Sequence, residues 1–535
     1  MQLASVIVQE PRLDVQPLDQ THVTITQGAE RITQVVMPAL SYSDAQANWN
    51  IQPPKGVIID RDILIRYEIE YTVDYSPFEA TGIQALFQTD QSTGDTYFCD
   101  GYGFRQCPIG AVTESTSVIL NGENLNDNIS QKIHAFLCYG NTRKQQRLDW
   151  SKALMEPDLV QDYGTYFTSP KNPLVPYYKA GYEQNGRSPG LLYFTDNSAE
   201  MTATFRVRFT EPIWMSPFGT DYGQQKPGFC NVDSLNVIQR FKKLVHTLSY
   251  GGTLMGPDDL KTIPTATAKF YKPPELLINY LTPVSNFAYP TSQILPFIKP
   301  LDYVQQLTLA PQGQTTFQFD TIRLSTIPEA VYIFVAPSRS TTTDASAVNL
   351  AGEYVPDCFL NISRVNITFE NQSSIMGTFQ PEELFDICHA NGLNLSFDEF
   401  RRYKGTVLKL NFSKDIGIPN GLLVGDMGSF TYQCSIDIWN QYLTTTVSHE
   451  LSRVMVNPNS TTKFEAWQVF IMPGSLMIAP GVAKSSIGLS ASAAAKRGSY
   501  YSLTNQTFVG GGTSNVRPYS STGGKISTVF DRPFM

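Results

Sequence analysis

Alternation of apolar and polar residues is the strongest signal along the chain. From Ile63 to Val73, the residues Ile63, Ile65, Tyr67, Ile69, Tyr71 and Val73 share one face, and Arg66, Glu68, Glu70 and Thr72 share the other. A period of two held this long predicts a β-strand with one buried face. The same pattern returns at Phe205, Val207 and Phe209 against Arg206 and Arg208. It returns again at Phe430, Tyr432, Cys434, Ile436 and Ile438 against Thr431, Gln433, Ser435 and Asp437. Two sheets of such strands, stacked about 10 Å apart, bury their apolar faces together. An antiparallel sandwich is therefore the predicted architecture. Helical signals are few. Pro381 suits a first-turn position, Glu382 and Glu383 follow where the helix dipole favours acids, and Asn391-Gly392 forms a stop. Ser396 and Glu399 are spaced as a capping box.

The order of these elements repeats. Ser117–Gly122, a helix-like stretch from Ile129 to Tyr139 and Gly140 parallel Arg364–Phe369, the helix from Pro381 and Gly392. Further on, Thr204–Phe209 parallels Thr406–Leu410, Cys230–Phe241 parallels Gly428–Trp439, and Lys269–Pro283 parallels Lys463–Pro473. The offset falls from 252 at Gly140/Gly392 to 194 at Lys269/Lys463, which places an insertion of about 58 residues in the first copy. That insertion is the tyrosine- and proline-rich stretch 141–203, read as a long loop of the kind that serves function or interfaces. The predicted organisation is an N-terminal arm over 1–19, a first unit over 20–283, a second over 284–480, and a flexible Gly/Ser/Ala-rich tail over 481–535.

Composition narrows the function. Only 16% of the 535 residues are charged, against roughly 25% in an ordinary soluble domain, and the net charge is −8. No apolar run approaches the 18 or so residues of a membrane span, and the start lacks the basic region of a secretory signal. Seven cysteines without a CxxC pair read as reduced, buried thiols of a reducing compartment; a Cys99–Cys107 bridge is the one conceivable pairing. From Gly481 onward six basic residues (Lys484, Lys496, Arg497, Arg517, Lys525, Arg532) face one acid, Asp531, leaving −13 on the first 480 residues. The body repels nucleic acid. The tail alone is a candidate for an anionic partner.

Enzyme motifs are missing. The chain has no GxSxG elbow, HExxH, P-loop, GxGxxG or EF-hand loop, and its five histidines are scattered. No catalytic, cofactor-binding or metal-binding residue is assigned. Glu68 and Glu70, about 7 Å apart on one strand face, have the spacing of a glycosidase acid pair, and some glycosidases are β-sandwiches. A solvated strand face flanked by Arg66 explains them better, because no aromatic and acidic cluster follows on a neighbouring strand. Arg206 with Arg208, and Arg401-Arg402, read as local ion-pairing residues.

Three strings carry a resemblance: Leu324-Ser-Thr-Ile-Pro-Glu-Ala-Val-Tyr-Ile-Phe-Val, Gly405-Thr-Val-Leu-Lys-Leu-Asn-Phe-Ser-Lys-Asp-Ile-Gly-Ile, and Pro274-Glu-Leu-Leu-Ile-Asn-Tyr-Leu-Thr-Pro. They resemble the double jelly-roll major capsid proteins of polinton-like viruses, virophages and adintovirus-like elements, best over 266–480. The resemblance implies an all-β fold of two tandem eight-stranded antiparallel jelly rolls with short helices in loops. It also implies a coat protein whose pseudo-hexagonal homotrimers tile the icosahedral shell of a double-stranded DNA virus. Implied partners are further copies of the chain, penton and minor capsid proteins, and a host surface receptor, with the tail touching genome or an internal membrane. A β-sandwich glycoside hydrolase and a carbohydrate-binding adhesin are the alternatives.

Overall fold

The computed structural model describes residues 31–74, 87–89, 96–98, 102–139, 191–197, 200, 202–218, 228–250, 265–283, 289–338, 359–418, 422–441 and 463–488, apart from single positions within these ranges. In the first half the main strands are β1 (Arg31–Pro38), β2 (Gln46–Ile51), β3 (Leu64–Asp74), β4 (Thr113–Leu120), β5 (Glu123–Asp127), β6 (Thr202–Pro212), β7 (Leu235–Phe241) and β8 (Glu275–Thr282). In the second they are β9 (Gln293–Thr308), β10 (Gln314–Gln318), β11 (Ala330–Pro337), β12 (Asn361–Phe369), β13 (Gln372–Ile375), β14 (Val407–Asn411), β15 (Met427–Trp439), β16 (Lys463–Ala479) and a last strand, β17 (Val482–Ile487).

The first half folds as two sheets ordered β1-β8-β3-β6 and β2-β7-β4-β5, and the second as β9-β16-β11-β14 and β10-β15-β12-β13. Adding eight to each label turns one half into the other. Apart from the β4–β5 and β12–β13 hairpins, successive strands within each half cross between the facing sheets, which is jelly-roll winding. Every pairing along these paths is antiparallel. Further strands widen the sheets: Leu191–Asn197 lies beside β6, and Thr265–Phe270 continues the line of β8 along β3. The segments aligned from sequence occupy matching places. Ser117–Gly122 and Arg364–Phe369 lie in or just after β4 and β12, while Cys230–Phe241 and Gly428–Trp439 lead through β7 and β15.

Local chemistry explains the elements. Along β3 the residues Ile65, Tyr67, Ile69, Tyr71 and Val73 are buried in the first core, as the alternation predicts. Helix α1 (Pro108–Val112) and helix α2 (Ile133–Phe136) are short, and α2 is only the middle of the helix-like stretch expected from Ile129. Helix α3 (Pro381–Ala390) starts as its sequence dictates: Pro381 is in the first turn, and Gln380 and Glu383 close a capping box. Gly392 follows at φ 103°. Ser396 and Glu399 exchange hydrogen bonds in the same way before a π-helical turn over Glu399–Tyr403.

Two expectations need correction. The stretch 141–203 is not a loop throughout, because Leu191–Asn197 pairs with β6, and β6 itself starts at Thr202. The tail does not begin at 481. Pro480-Gly481 turns the chain, with Gly481 at φ 72°, and Val482–Ile487 folds back on β16 as β17. Backbone pairing along an open sheet edge outweighs the loop-like composition there. The remainder of both stretches, and the arm 1–19, lie outside the described residues.

Candidate assembly surfaces

The acid pair considered from sequence is structural. Glu68 meets Arg208 Nη2 at 3.4 Å and Lys272 Nζ at 3.3 Å, while Glu70 meets Arg206 Nε at 2.6 Å and Lys269 Nζ at 3.1 Å. Burial alone raises the Glu70 pKa, but the bonds from Arg206 and Lys269 outweigh it and hold the carboxyl below its ordinary value. Each acid is held by cations across the strand register. Glu70 is not poised to donate a proton, and Arg206 and Arg208 make the local ion pairs read from sequence. Arg401 likewise stands 3.9 Å from Glu382.

Four of the described thiols are not poised as nucleophiles either. Burial pushes Cys138 and Cys388 up to about 11 and Cys230 and Cys434 up to about 12, so they stay protonated. Cys107 is buried too, whereas Cys99 and Cys358 lie outside the described residues, as does any bridge involving Cys99. Among the described residues no group of three or more His, Cys, Asp or Glu could hold a metal ion. No described helix is long and apolar enough to cross a membrane. Of the basic tail residues, Lys484 stands exposed in β17 opposite Met477. Lys496, Arg497, Arg517, Lys525 and Arg532 lie outside the described residues.

What the structure does build is a seam between the rolls. Residues of α2 and its flanks enter the second core: the Phe136 ring meets Tyr332 edge-on at 4.9 Å, and Tyr139 meets the same ring at 5.5 Å. Tyr139 Oη donates to the Val407 carbonyl at 2.6 Å, and Asn394 N–H donates to the Cys138 carbonyl at 2.9 Å. In return Leu295, Phe297, Leu476 and Ile478 of the second half are buried in the first core.

Polar groups fix the register of the seam. The Gln293 side chain donates to the Gly228 carbonyl at 2.7 Å and accepts from Cys230 N–H at 3.0 Å. Asn121, at φ 44° in the β4–β5 turn, donates to the Ala479 carbonyl at 3.1 Å. Glu123 accepts from Ser485 N–H at 3.0 Å and from the Ser485 hydroxyl, so β17 straps the second roll to the first. Lys132, buried to its ammonium, reaches Asp127 at 2.7 Å in its own roll and Asp302 at 2.7 Å in the other. Burial pulls its pKa down, but the two carboxylates outweigh that and hold it above the ordinary lysine value.

The sequence predicted none of these seam residues. Their partners lie more than 60 positions away in every case but Asp127, and no local pattern marks them.

Two rolls of one topology, fused through a buried seam, invite comparison with known proteins. Residues 2–202 match the family described as Sputnik virophage major capsid protein 1st domain, and residues 297–404 match Major capsid protein V20 C-terminal domain. The putative capsid protein V20 of Sputnik virophage is 26% identical over 471 residues, spanning 82% of this chain and 75% of that protein. The chain is homologous to virophage major capsid proteins. Solved structures agree on the fold. That of the Sputnik virophage by cryo-EM superposes with a TM-score of 0.72 at 22% identity, over 96% of this chain and 97% of the other. The mavirus major capsid protein gives 0.62 at 13% identity, over 92% and 97%. The fold is therefore the double jelly roll, and the homologue is a structural protein rather than an enzyme.

Proposed function

We propose that this chain is the principal building block of the icosahedral shell of a double-stranded DNA virus, and that three copies join into a block of pseudo-hexagonal outline. The observation that carries the proposal is the matched strand order of the two rolls across one buried seam. Two rolls per chain and three chains give six near-equivalent rolls around a ring, an outline that tiles a flat facet. Assembly then rests on contact between subunits, which agrees with the low charge of the chain. Native mass by light scattering tests it. A species of three times 59.6 kDa with a three-lobed hexagonal outline in the electron microscope is expected; a monomer at every concentration and salt overturns the trimer.

Finer assignments belong to the same reading. The rolls span about 20–283 and 284–488, with strands running through the thickness of the shell. The insertion within 141–203 stands at the outer crown or the trimer seam, so its deletion is expected to spare the rolls and abolish trimers or attachment. An assembly-competent, fully infectious deletion would reject that placement. The basic tail, with Lys496, Arg497, Arg517, Lys525 and Arg532, contacts genome, an internal membrane or a minor capsid protein, and penton proteins and a host receptor complete the partners. Binding of the isolated tail peptide to DNA or anionic vesicles is expected to weaken with salt, and no binding at any salt rejects it. Ion pairing of both Glu68 and Glu70 removes the motive for the glycosidase alternative. Buried thiols of high pKa speak against the oxidised framework an adhesin would use.

A further inference from the structure

Lysine is among the residues least often buried, and Lys132 is buried completely. Its backbone is fixed on both sides: the N–H donates to the Ile129 carbonyl at 3.0 Å, and the carbonyl accepts from Phe136 N–H at 3.0 Å. Its Nζ reaches one oxygen of Asp127 at 2.7 Å and both oxygens of Asp302, at 3.0 and 2.7 Å. Strand pairing places the two acids, Asp127 opposite Thr116 in β5 and Asp302 opposite Val469 in β9. One acid would neutralise the ammonium. The second leaves an excess negative charge at a site where the side chains of Lys132 and Asp127 are 1% and 10% exposed, which is costly if the triad serves only to hold the seam.

An amine, a carboxyl to accept it and a second carboxyl to move protons are the three parts of amide formation. In water the reaction stalls, because the amine is protonated and the acid ionised. Burial disfavours both charges, and it pushes the Asp127 carboxyl above its ordinary value against the pull of Lys132. Asp127 is therefore placed to take a proton from Nζ along their 2.7 Å hydrogen bond. The two carboxylates favour the ammonium, so the free amine is the minor form and the reaction is slow. Fixed placement compensates, since groups held in position react as if at about 10⁵ M or more. Asp302 is the acceptor because both its oxygens face Nζ, which brings its carbon into reach, and because its side chain is 28% exposed, which lets a released water leave.

We propose that Lys132 and Asp302 condense into an amide that joins the two rolls covalently, with Asp127 as the proton carrier. A bond forms between Nζ and Cγ of Asp302, and one carbon–oxygen bond of that carboxyl breaks. Of the three protons on Nζ one stays on the amide, and two pass by way of Asp127 to the departing oxygen, which leaves as water. No oxidant or further reactant is needed. Three charges become one, the carboxylate of Asp127. The link spans 170 positions of the chain, so parting the rolls would require breaking a covalent bond. The inference goes beyond the shell-subunit reading and does not depend on it.

Mass spectrometry of the full chain tests it, on freshly purified protein and again after storage. The intact mass is expected to lie one water below that of the sequence. A succinimide formed at an aspartate loses the same mass, so a proteolytic digest is expected to hold a peptide pair joined between Lys132 and Asp302. Lys132→Arg is expected to keep its full mass, and Asp127→Asn to keep it as well with a circular dichroism spectrum like that of wild type. The wild-type measurement decides even where a variant fails to fold. Full sequence mass in folded wild-type protein, fresh and stored, overturns the proposal, and so does a loss of water without the joined pair. A pair joined at Asp127 instead overturns the link between the rolls.

Discussion

Glu211, near the end of β6, is buried with two backbone N–H groups of α1, Ile109 and Gly110, each 2.8 Å from its carboxylate and Trp214 Nε1 at 2.9 Å. Burial pushes its pKa up to about 7 even though those donors pull it down. The folded carboxyl holds its proton more tightly than the unfolded one, so its contribution to stability is complete below about pH 4.5 and is lost as pH rises through about 7. A loss on the order of 3 kcal/mol follows from a shift of this size. Melting temperature is therefore expected to fall between pH 5 and pH 8, and Glu211→Gln to flatten that slope; an equal slope in both proteins would refute it. Lys132 is an ammonium held between Asp127 and Asp302. Lys132→Ala strands two carboxylates at the seam and is expected to cost about 3 kcal/mol in chemical denaturation. At this scale the sequence was legible only where neighbours decide. The charged face of Glu68 and Glu70 could be read from period two, while Glu211 and Lys132 owe their character to burial that no local pattern reveals.

Strand β17 shows why composition misleads about elements. Its Gly, Ser and Ala neighbours read as tail, yet Ala483 is buried and Ser485 bonds Glu123 of the other roll. Truncation after Gly488 is expected to leave thermal stability unchanged. Truncation after Pro480 is expected to lower it and to raise amide exchange in β5, measurable by mass spectrometry. Gly405 is the second point of leverage. Its φ is +87°, and a Cβ there would lie 1.9 Å from the Phe359 carbonyl oxygen, so Gly405→Ala is expected to cost about 3 kcal/mol or more. Long alternating strands and the capped helix α3 were legible because their signals are local and repeated. Leu191–Asn197 was not, since its strand character comes from the open edge of β6.

Across the whole molecule, the duplication could be read from the order and spacing of motifs, but the seam could not, because it joins residues from both copies. Residues of each roll complete the core of the other, so calorimetry is expected to give one unfolding transition, with two separable ones in Lys132→Ala. The two rolls are joined by only the ten residues 283–292, between Thr282 and Gln293. In the proposed ring of six rolls, that short tether makes half of the roll-to-roll contacts intramolecular. Free single rolls would gather into a ring of six with a sixth-power dependence on concentration, while tethered pairs do so with a third-power dependence. In the proposed trimer, the tether thus lowers the chain concentration at which closed rings prevail.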